Sequence, residues 1–167
     1  MSGHSKWAQI RHKKGINDQK RGQLFSKLSK AITLAARNGS DPKSNLALAN
    51  AIDQARAMNM PNDNIERAIK KVSDKESARL QEVIIEAIGP GGVALRAKGV
   101  TDNTNRTINE VKKILGEHNA KMVPPGSIAW MFNTPASIDE TAQGQLEILM
   151  EALDNQDDID DVVTNLQ

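Results

Sequence analysis

Gln81-Glu82-Val83-Ile84-Ile85-Glu86-Ala87-Ile88-Gly89-Pro90-Gly91-Gly92-Val93-Ala94-Leu95-Arg96-Ala97-Lys98 is the stretch that decides the fold. Val83, Ile85 and Ala87 alternate with Ile84, Glu86 and Ile88, the two-residue period of a strand with one face on a core. Gly89-Pro90-Gly91-Gly92 then turns the chain, because glycine takes positive φ freely and Pro90 withdraws a donor. Val93, Leu95 and Ala97 continue on the return strand, with Arg96 and Lys98 on its other face. The reading is a β-hairpin.

After the hairpin, a helix is expected at about Asn105–His118, with Ile108, Val111, Ile114 and Leu115 as its apolar stripe. Pro124-Pro125-Gly126 precedes an expected strand, Ser127–Asn133. A further helix at about Glu140–Leu153 and a last strand near Ile159–Thr164 complete the set. Strands alternating with helices after a hairpin predict a small ferredoxin-like α/β sandwich with an extra hairpin strand.

Before the hairpin, the period lengthens. From Asp18 to the stop signal Asn38-Gly39, Leu24, Phe25, Leu28, Ala31, Ile32, Ala35 and Ala36 share one side of a helix at ~100° per residue. Lys20, Lys27, Lys30 and Arg37 take the other side, while Arg21 lies beside the apolar stripe. Asp41-Pro42 opens a loop, and Ser44 is placed to cap a second helix running to about Met58. Pro61 breaks the chain, and Asp63 with Glu66 resembles the capping box of a third helix through Ile65, Ala68, Ile69 and Val72. The expected class is therefore α+β: a basic arm over 1–16, a three-helix domain over 17–78 and an α+β domain over 79–167, with Ser73–Arg79 as the linker.

Charge is segregated along the chain. Residues 1–40 hold nine Lys/Arg against Asp18 alone, whereas residues 135–167 hold nine acids and no Lys or Arg, so the net charge of +1 conceals two poles. A basic head seeks a polyanion, which points to nucleic acid. His4, Ser5, Lys6, Trp7, Arg11, His12, Lys13 and Lys14 combine charge with one aromatic, and Lys20, Arg21, Lys27, Lys30 and Arg37 extend the footprint along the helix. Trp7 either stacks on a base or staples the arm to the helices. The bland alternative is a solvated tail. A second contact is expected at Asn103, Asn105 and Arg106, where a helix N-terminus and an arginine fork favour an anion, although simple capping by Asn105 or Asp102 would also explain the pattern. The acidic end reads as a solvated helix face and strand end, or as a shield for the head.

Other chemistries find little support. No cysteine is present, which excludes disulfides and zinc-thiolate sites. His4, His12 and His118 are scattered, Asp157, Asp158, Asp160 and Asp161 alternate faces, and no nucleophile elbow occurs. No enzyme activity, metal or cofactor is expected. No apolar run reaches the roughly 20 residues of a membrane span. The basic head has some features of a mitochondrial presequence, but it is richer in Lys than Arg and runs into a core-facing helix, so a cytoplasmic, monomeric protein is expected.

Several segments together resemble the YebC/PmpR family, which includes a mitochondrial translational activator of cytochrome oxidase. They are Gly3-His4-Ser5-Lys6-Trp7-Ala8 with Ile10-Arg11-His12-Lys13-Lys14; Asn59-Met60-Pro61-Asn62-Asp63-Asn64-Ile65-Glu66-Arg67-Ala68-Ile69; Gly89-Pro90-Gly91-Gly92; Asp102-Asn103 with Asn105-Arg106-Thr107; Gly126-Ser127; and Asp157-Asp158 followed by Val162-Val163-Thr164-Asn165. The resemblance implies an N-terminal helical domain followed by α/β parts. It also marks two departures: the family's inserted α/β domain is missing after about residue 133, and the tyrosines usual around the hairpin are replaced by Ile84 and Ile88. Members are labelled DNA-binding transcriptional regulators and have also been associated with translation through proline runs. The expectation is a non-enzymatic factor on ribosomal RNA, with a DNA-binding transcriptional regulator as the alternative and a protein–protein adaptor as a third option. The Lys-rich polar face of the first helix suits phosphate contact more than base reading.

Overall fold

The structure is a computed structural model that describes residues 18–167. Five α-helices and four β-strands are formed among these residues: α1 Asp18–Ala35, α2 Leu46–Ala57, α3 Asn62–Lys70, β1 Gln81–Ile88, β2 Ala94–Thr101, α4 Thr104–Glu117, β3 Lys121–Val123, α5 Glu140–Asp154 and β4 Ile159–Thr164. The class is α+β, as the periodicities require.

The hairpin forms in register from Gln81↔Thr101 to Ile88↔Ala94. Gly91 and Gly92 take φ of 72° and 79° in its turn, the left-handed region that other residues avoid. β3 joins the outer edge of β1 and β4 that of β2, giving the antiparallel order β3-β1-β2-β4. Val83, Ile85, Ala87, Leu95 and Ala97 face α4 and α5, and with Val111, Leu115, Leu146, Leu149 and Leu153 they make one apolar cluster. Each large side chain buried there contributes about 1.5–3 kcal/mol. Leu28, Ile32, Leu48, Ile52, Ile65 and Ala68 of α1–α3 make a second cluster that shares no residue with the first. The molecule thus has a helical unit and a sheet unit, each with its own apolar interior.

Three local expectations are corrected. Ser127–Asn133 is not a strand; Ala129–Asn133 is a 3-10 helix, and the edge strand is the three-residue β3 that precedes the prolines. The Glu86 carboxylate accepts the Gly126 N–H and pulls the chain off the sheet edge, after which i→i+3 bonds close successive turns. Helix α2 is capped by Asn45, whose side chain accepts from Leu48 N–H and donates to the Ala35 and Gly39 carbonyls; Ser44 instead closes the preceding turn on Asp41. Pro61, not Asp63, stands at the N-cap of α3, and no side chain caps it. Ser73–Arg79 lies between the helical unit and β1, with 3-10 turns at Lys71–Ser73 and Lys75–Arg79.

The β2–β4 pairing contains a bulge at Lys98/Gly99 that brings the Asp158 carbonyl against Gly99. A Cβ on Gly99 would lie 2.0 Å from that oxygen, and the atom is backbone, so it cannot step aside. Gly99→Ala is expected to lower stability by about 3 kcal/mol or more, measurable by thermal or urea unfolding. A variant as stable as the parent would mean the strands can separate here without loss.

Candidate nucleic-acid interface

His4, Ser5, Lys6, Trp7, Arg11, His12, Lys13 and Lys14 lie outside the described residues. The remaining cations of the expected footprint are all placed, and their surroundings differ from the sequence reading.

Much of the polar face of α1 is turned away from solvent. It lies against the acidic end of the sheet unit, over the last turn of α5 and the segment leading into β4. Lys20 stands 3.8 Å from Glu151. Gln23 donates to the Asn155 carbonyl at 2.7 Å and to the Asp157 carboxylate at 3.0 Å. Lys27, only 3% exposed, donates to the Asp154 carbonyl. Lys30 donates to the Asp157 carbonyl at 3.2 Å and forms an ion pair with Asp158 at 2.8 Å. The expectation of outward cations is therefore corrected for Lys27 and Lys30. The physical reason is that opposite charges from the two ends of the sequence are adjacent in space. Arg21 is exposed near Asp18, and Arg37, also exposed, donates to the Ser77 carbonyl and so ties the end of α1 to the connecting turns.

The anion site expected at the start of α4 is also occupied from within. Asn103 caps the helix by accepting from Arg106 N–H, a role the sequence reading gave to Asn105 or Asp102; Asn105 is exposed in the first turn. The Arg106 guanidinium donates to Asp102 at 3.0 Å, to Asp158 at 3.1 Å and to Thr101 at 3.2 Å. Thr107 adds a hydroxyl to Asp158 at 2.8 Å and Gln156 an amide at 3.2 Å.

Asp158 is thus a hub that sequence reasoning missed. It is 3% exposed and receives Lys30 from the helical unit together with Arg106, Thr107 and Gln156 from the sheet unit. Desolvation works against its charge, but bonds from Lys30, Thr107 and Arg106 and the Lys30 charge outweigh it and hold the carboxyl down at about 2. The family resemblance marks Asp157-Asp158 but gives Asp158 no role, since four aspartates within five residues look alike in sequence. Beside it, a cleft of about 610 Å³ opens between the units, lined by Ser26, Ser29, Lys30 and Thr33 of α1 and by Asp102 and Arg106 across from them.

Asp160 behaves in the opposite way. Burial, then the charge of Asp161, push its carboxyl up to about 7 despite Lys27, Lys98 and Lys30 nearby. A carboxyl whose folded-state pKa is raised binds more protons in the native chain, so its penalty grows as pH rises from about 4 to about 7. Asp160→Asn is expected to gain about 1–2 kcal/mol at pH 8 and almost nothing at pH 4, read from urea unfolding at the two values. An equal gain at both pH values would remove ionisation as the cause.

Among the described residues, no group of three or more His, Cys, Asp or Glu is placed to hold a metal ion, and no helix is long and apolar enough to cross a membrane.

Comparison with known proteins places these features in a family. Residues 5–75 match the family model described as "TACO1/YebC protein N-terminal domain", and residues 80–138 match that described as "TACO1/YebC second and third domain". A "Probable transcriptional regulatory protein" of Desulfosudis oleivorans is 48% identical over 154 residues, covering 90% of this chain and 63% of the relative. One of Halothermothrix orenii with the same description is 45% identical over 170 residues, covering 98% and 66%. The chain spans less than two thirds of the length of these relatives. Among solved structures, a conserved hypothetical protein from Aquifex aeolicus superposes with a TM-score of 0.75 at 27% identity, covering 90% of this chain and 91% of the other.

Proposed function

This chain belongs to the TACO1/YebC family, and from that premise we propose that it is a non-enzymatic regulatory factor that binds nucleic acid through its N-terminal arm. The favoured partner is RNA of the ribosome, and the effect is on translation, exerted by positioning. One observation carries the reading. Four of the 22 Lys/Arg lie in residues 1–17 and none of the 21 acids does, so residues 18–167 are net acidic, 18 against 21. Within that acidic body, Lys27 and Lys30 already face the acidic end. The arm is thus the stretch where cations stand with no acid among them, and Trp7 offers there a stacking surface of the kind that suits irregular or single-stranded RNA.

A second reading, regulation of transcription through DNA, draws support from the description that the relatives carry. Duplex readers lay a helix in the major groove. Helix α1 is poorly disposed to do so, with Leu28 and Ile32 against the helical core and Lys27 and Lys30 against the sheet unit. Co-sedimentation with purified ribosomes, set beside binding to a defined DNA duplex at the same physiological salt, separates the two. Protein that stays in the supernatant with ribosomes yet binds the duplex would overturn the translation reading in favour of the other.

A further inference from the structure

Helix α5 buries Ala142, Leu146, Leu149, Met150 and Leu153 on its inner side. At ~100° per residue, Gly144, Ile148 and Glu151 make the opposite side, with Glu140 and Glu147 along one flank and Gln145 and Ala152 along the other. Leu46, Ile84, Trp130 and Ile148 are the large apolar side chains exposed among the described residues. Of these, Ile148 alone stands on a helix whose charged residues are all acidic, and no Lys or Arg follows Lys121 in the sequence.

We propose that this outward face of α5 is the docking surface for a basic protein segment, which sets an apolar side chain against Ile148 over the recess at Gly144 and lysines or arginines along Glu140, Glu147 and Glu151. Such docking is independent of the nucleic-acid reading above and concerns the opposite pole of charge.

Three observations carry it. First, Ile148 is 59% exposed in mid-helix while the leucines and Met150 of α5 are buried, so covering it is a gain still open to a partner. Second, a Cβ on Gly144 would meet nothing within 4 Å, which leaves a recess one turn before Ile148 for an incoming side chain. Gly22 and Gly116 are as open, yet neither has an exposed large apolar residue within a turn of it. Third, the charge selects the partner. Among the described residues Glu140 forms no ion pair, Glu147 accepts only the Gln143 amide at 3.5 Å, and Glu151 meets Lys20 at 3.8 Å. Glu140 and Glu147 stand about 10 Å apart along the axis. They are strung out rather than gathered around one ion, and no group of three acids there is placed to hold a metal. The fitting cation is therefore an extended one. A nucleic acid is repelled by the same row, whereas lysines and arginines around an apolar anchor match it in sign and spacing.

A synthetic helical peptide of about 15 residues, with leucine at every third or fourth position and lysine or arginine elsewhere, is titrated into the isotope-labelled full chain and followed by amide NMR shifts. Shifts are expected along α5, centred on Ile148. Ile148→Ser is expected to weaken binding about tenfold through the lost apolar contact. Glu140→Gln with Glu147→Gln is expected to weaken it about fivefold and to flatten its salt dependence. A peptide with serine for leucine, expected to bind the unchanged protein at least about tenfold more weakly, gives the same readout without altering the chain. Equal binding of the serine peptide overturns the apolar anchor, and equal binding of a peptide with glutamate for its cations overturns the charge match. Shifts centred instead on the cleft acids Asp74, Glu76, Asp102 and Glu110, or no shifts at all, overturn α5 as the seat. A single-stranded RNA that moves the α5 amides as the peptide does overturns the protein partner. Shifts at Ile148 that grow with protein concentration in the absence of peptide, together with a dimer mass in sedimentation, overturn the basic segment in favour of a second copy of the chain.

Discussion

Asp158→Ala is expected to destabilise the folded chain by about 3–5 kcal/mol, because it strips one buried acceptor from Lys30, Arg106 and Thr107 at once. Removing one member of a buried charged set costs more than the set contributes, and here Lys30 keeps only the Asp157 carbonyl while Arg106 keeps Asp102 and Thr101. Thermal unfolding is the measurement, and a fall in the midpoint of about 10 °C is the expected scale for a chain of this size. The pH dependence gives a second readout with a definite sign. The folded-state carboxyl lies at about 2, below its ordinary 3.8, so its stabilisation is complete above pH 4 and is lost as pH falls toward 2. Parent and variant should therefore converge in strong acid and diverge at neutral pH. A difference that persists unchanged at pH 2 would mean that the carboxylate charge is not what the hub depends on. Lys30→Gln should be milder, because Asp158 keeps its other donors and the Lys30 site opens onto the cleft.

The second large effect concerns binding. Changing Lys6, Arg11, Lys13 and Lys14 together to alanine is expected to weaken RNA or ribosome binding by roughly 100-fold at physiological salt. The slope of log affinity against log salt should drop by about 3, at about 0.7 for each phosphate that a single strand no longer has neutralised. Removing four cations from a chain whose residues 18–167 are already net acidic, 18 against 21, raises the repulsion of a polyanion. Stability should not change, so unfolding curves provide the control. Undiminished binding would move the binding surface elsewhere and favour the adaptor reading, in which the sheet unit meets a protein.

How far the sequence could be read differs by element. The hairpin was legible because the alternation in Gln81–Ile88, the glycines of the turn and the alternation on return all agree, and the register matches residue for residue. Helices α1, α4 and α5 and strand β4 were legible for the same reason, being long enough for their period to repeat. Strand β3 was not. Three residues cannot display a period, and what ends the strand is a carboxylate 40 residues earlier, Glu86, taking the Gly126 N–H. The apolar run Ile128–Phe132 then suggested a strand, yet Phe132 serves to lie under the Arg96 guanidinium at 4.4 Å. Caps showed the same limit: Ser44 and Asn45 are both good capping residues, and only the carbonyls of Ala35 and Gly39 select Asn45.

What the sequence determined by itself is the segment-level plan and the two poles of charge, because periodicity and composition are local properties of the chain. What only the tertiary structure decided is where those charges go. Lys27 and Lys30 read as a binding surface while α1 is considered alone, since a helix face of lysines with no acid in sight has no visible partner. The fold brings the Asp154–Asp158 segment to that face, and electrostatic attraction over a few ångströms in a partly desolvated joint then outweighs hydration of separate ends. Such pairing, across 127 and 128 residues for Lys27 and Lys30, depends on how two units pack, and no window on the sequence contains both partners.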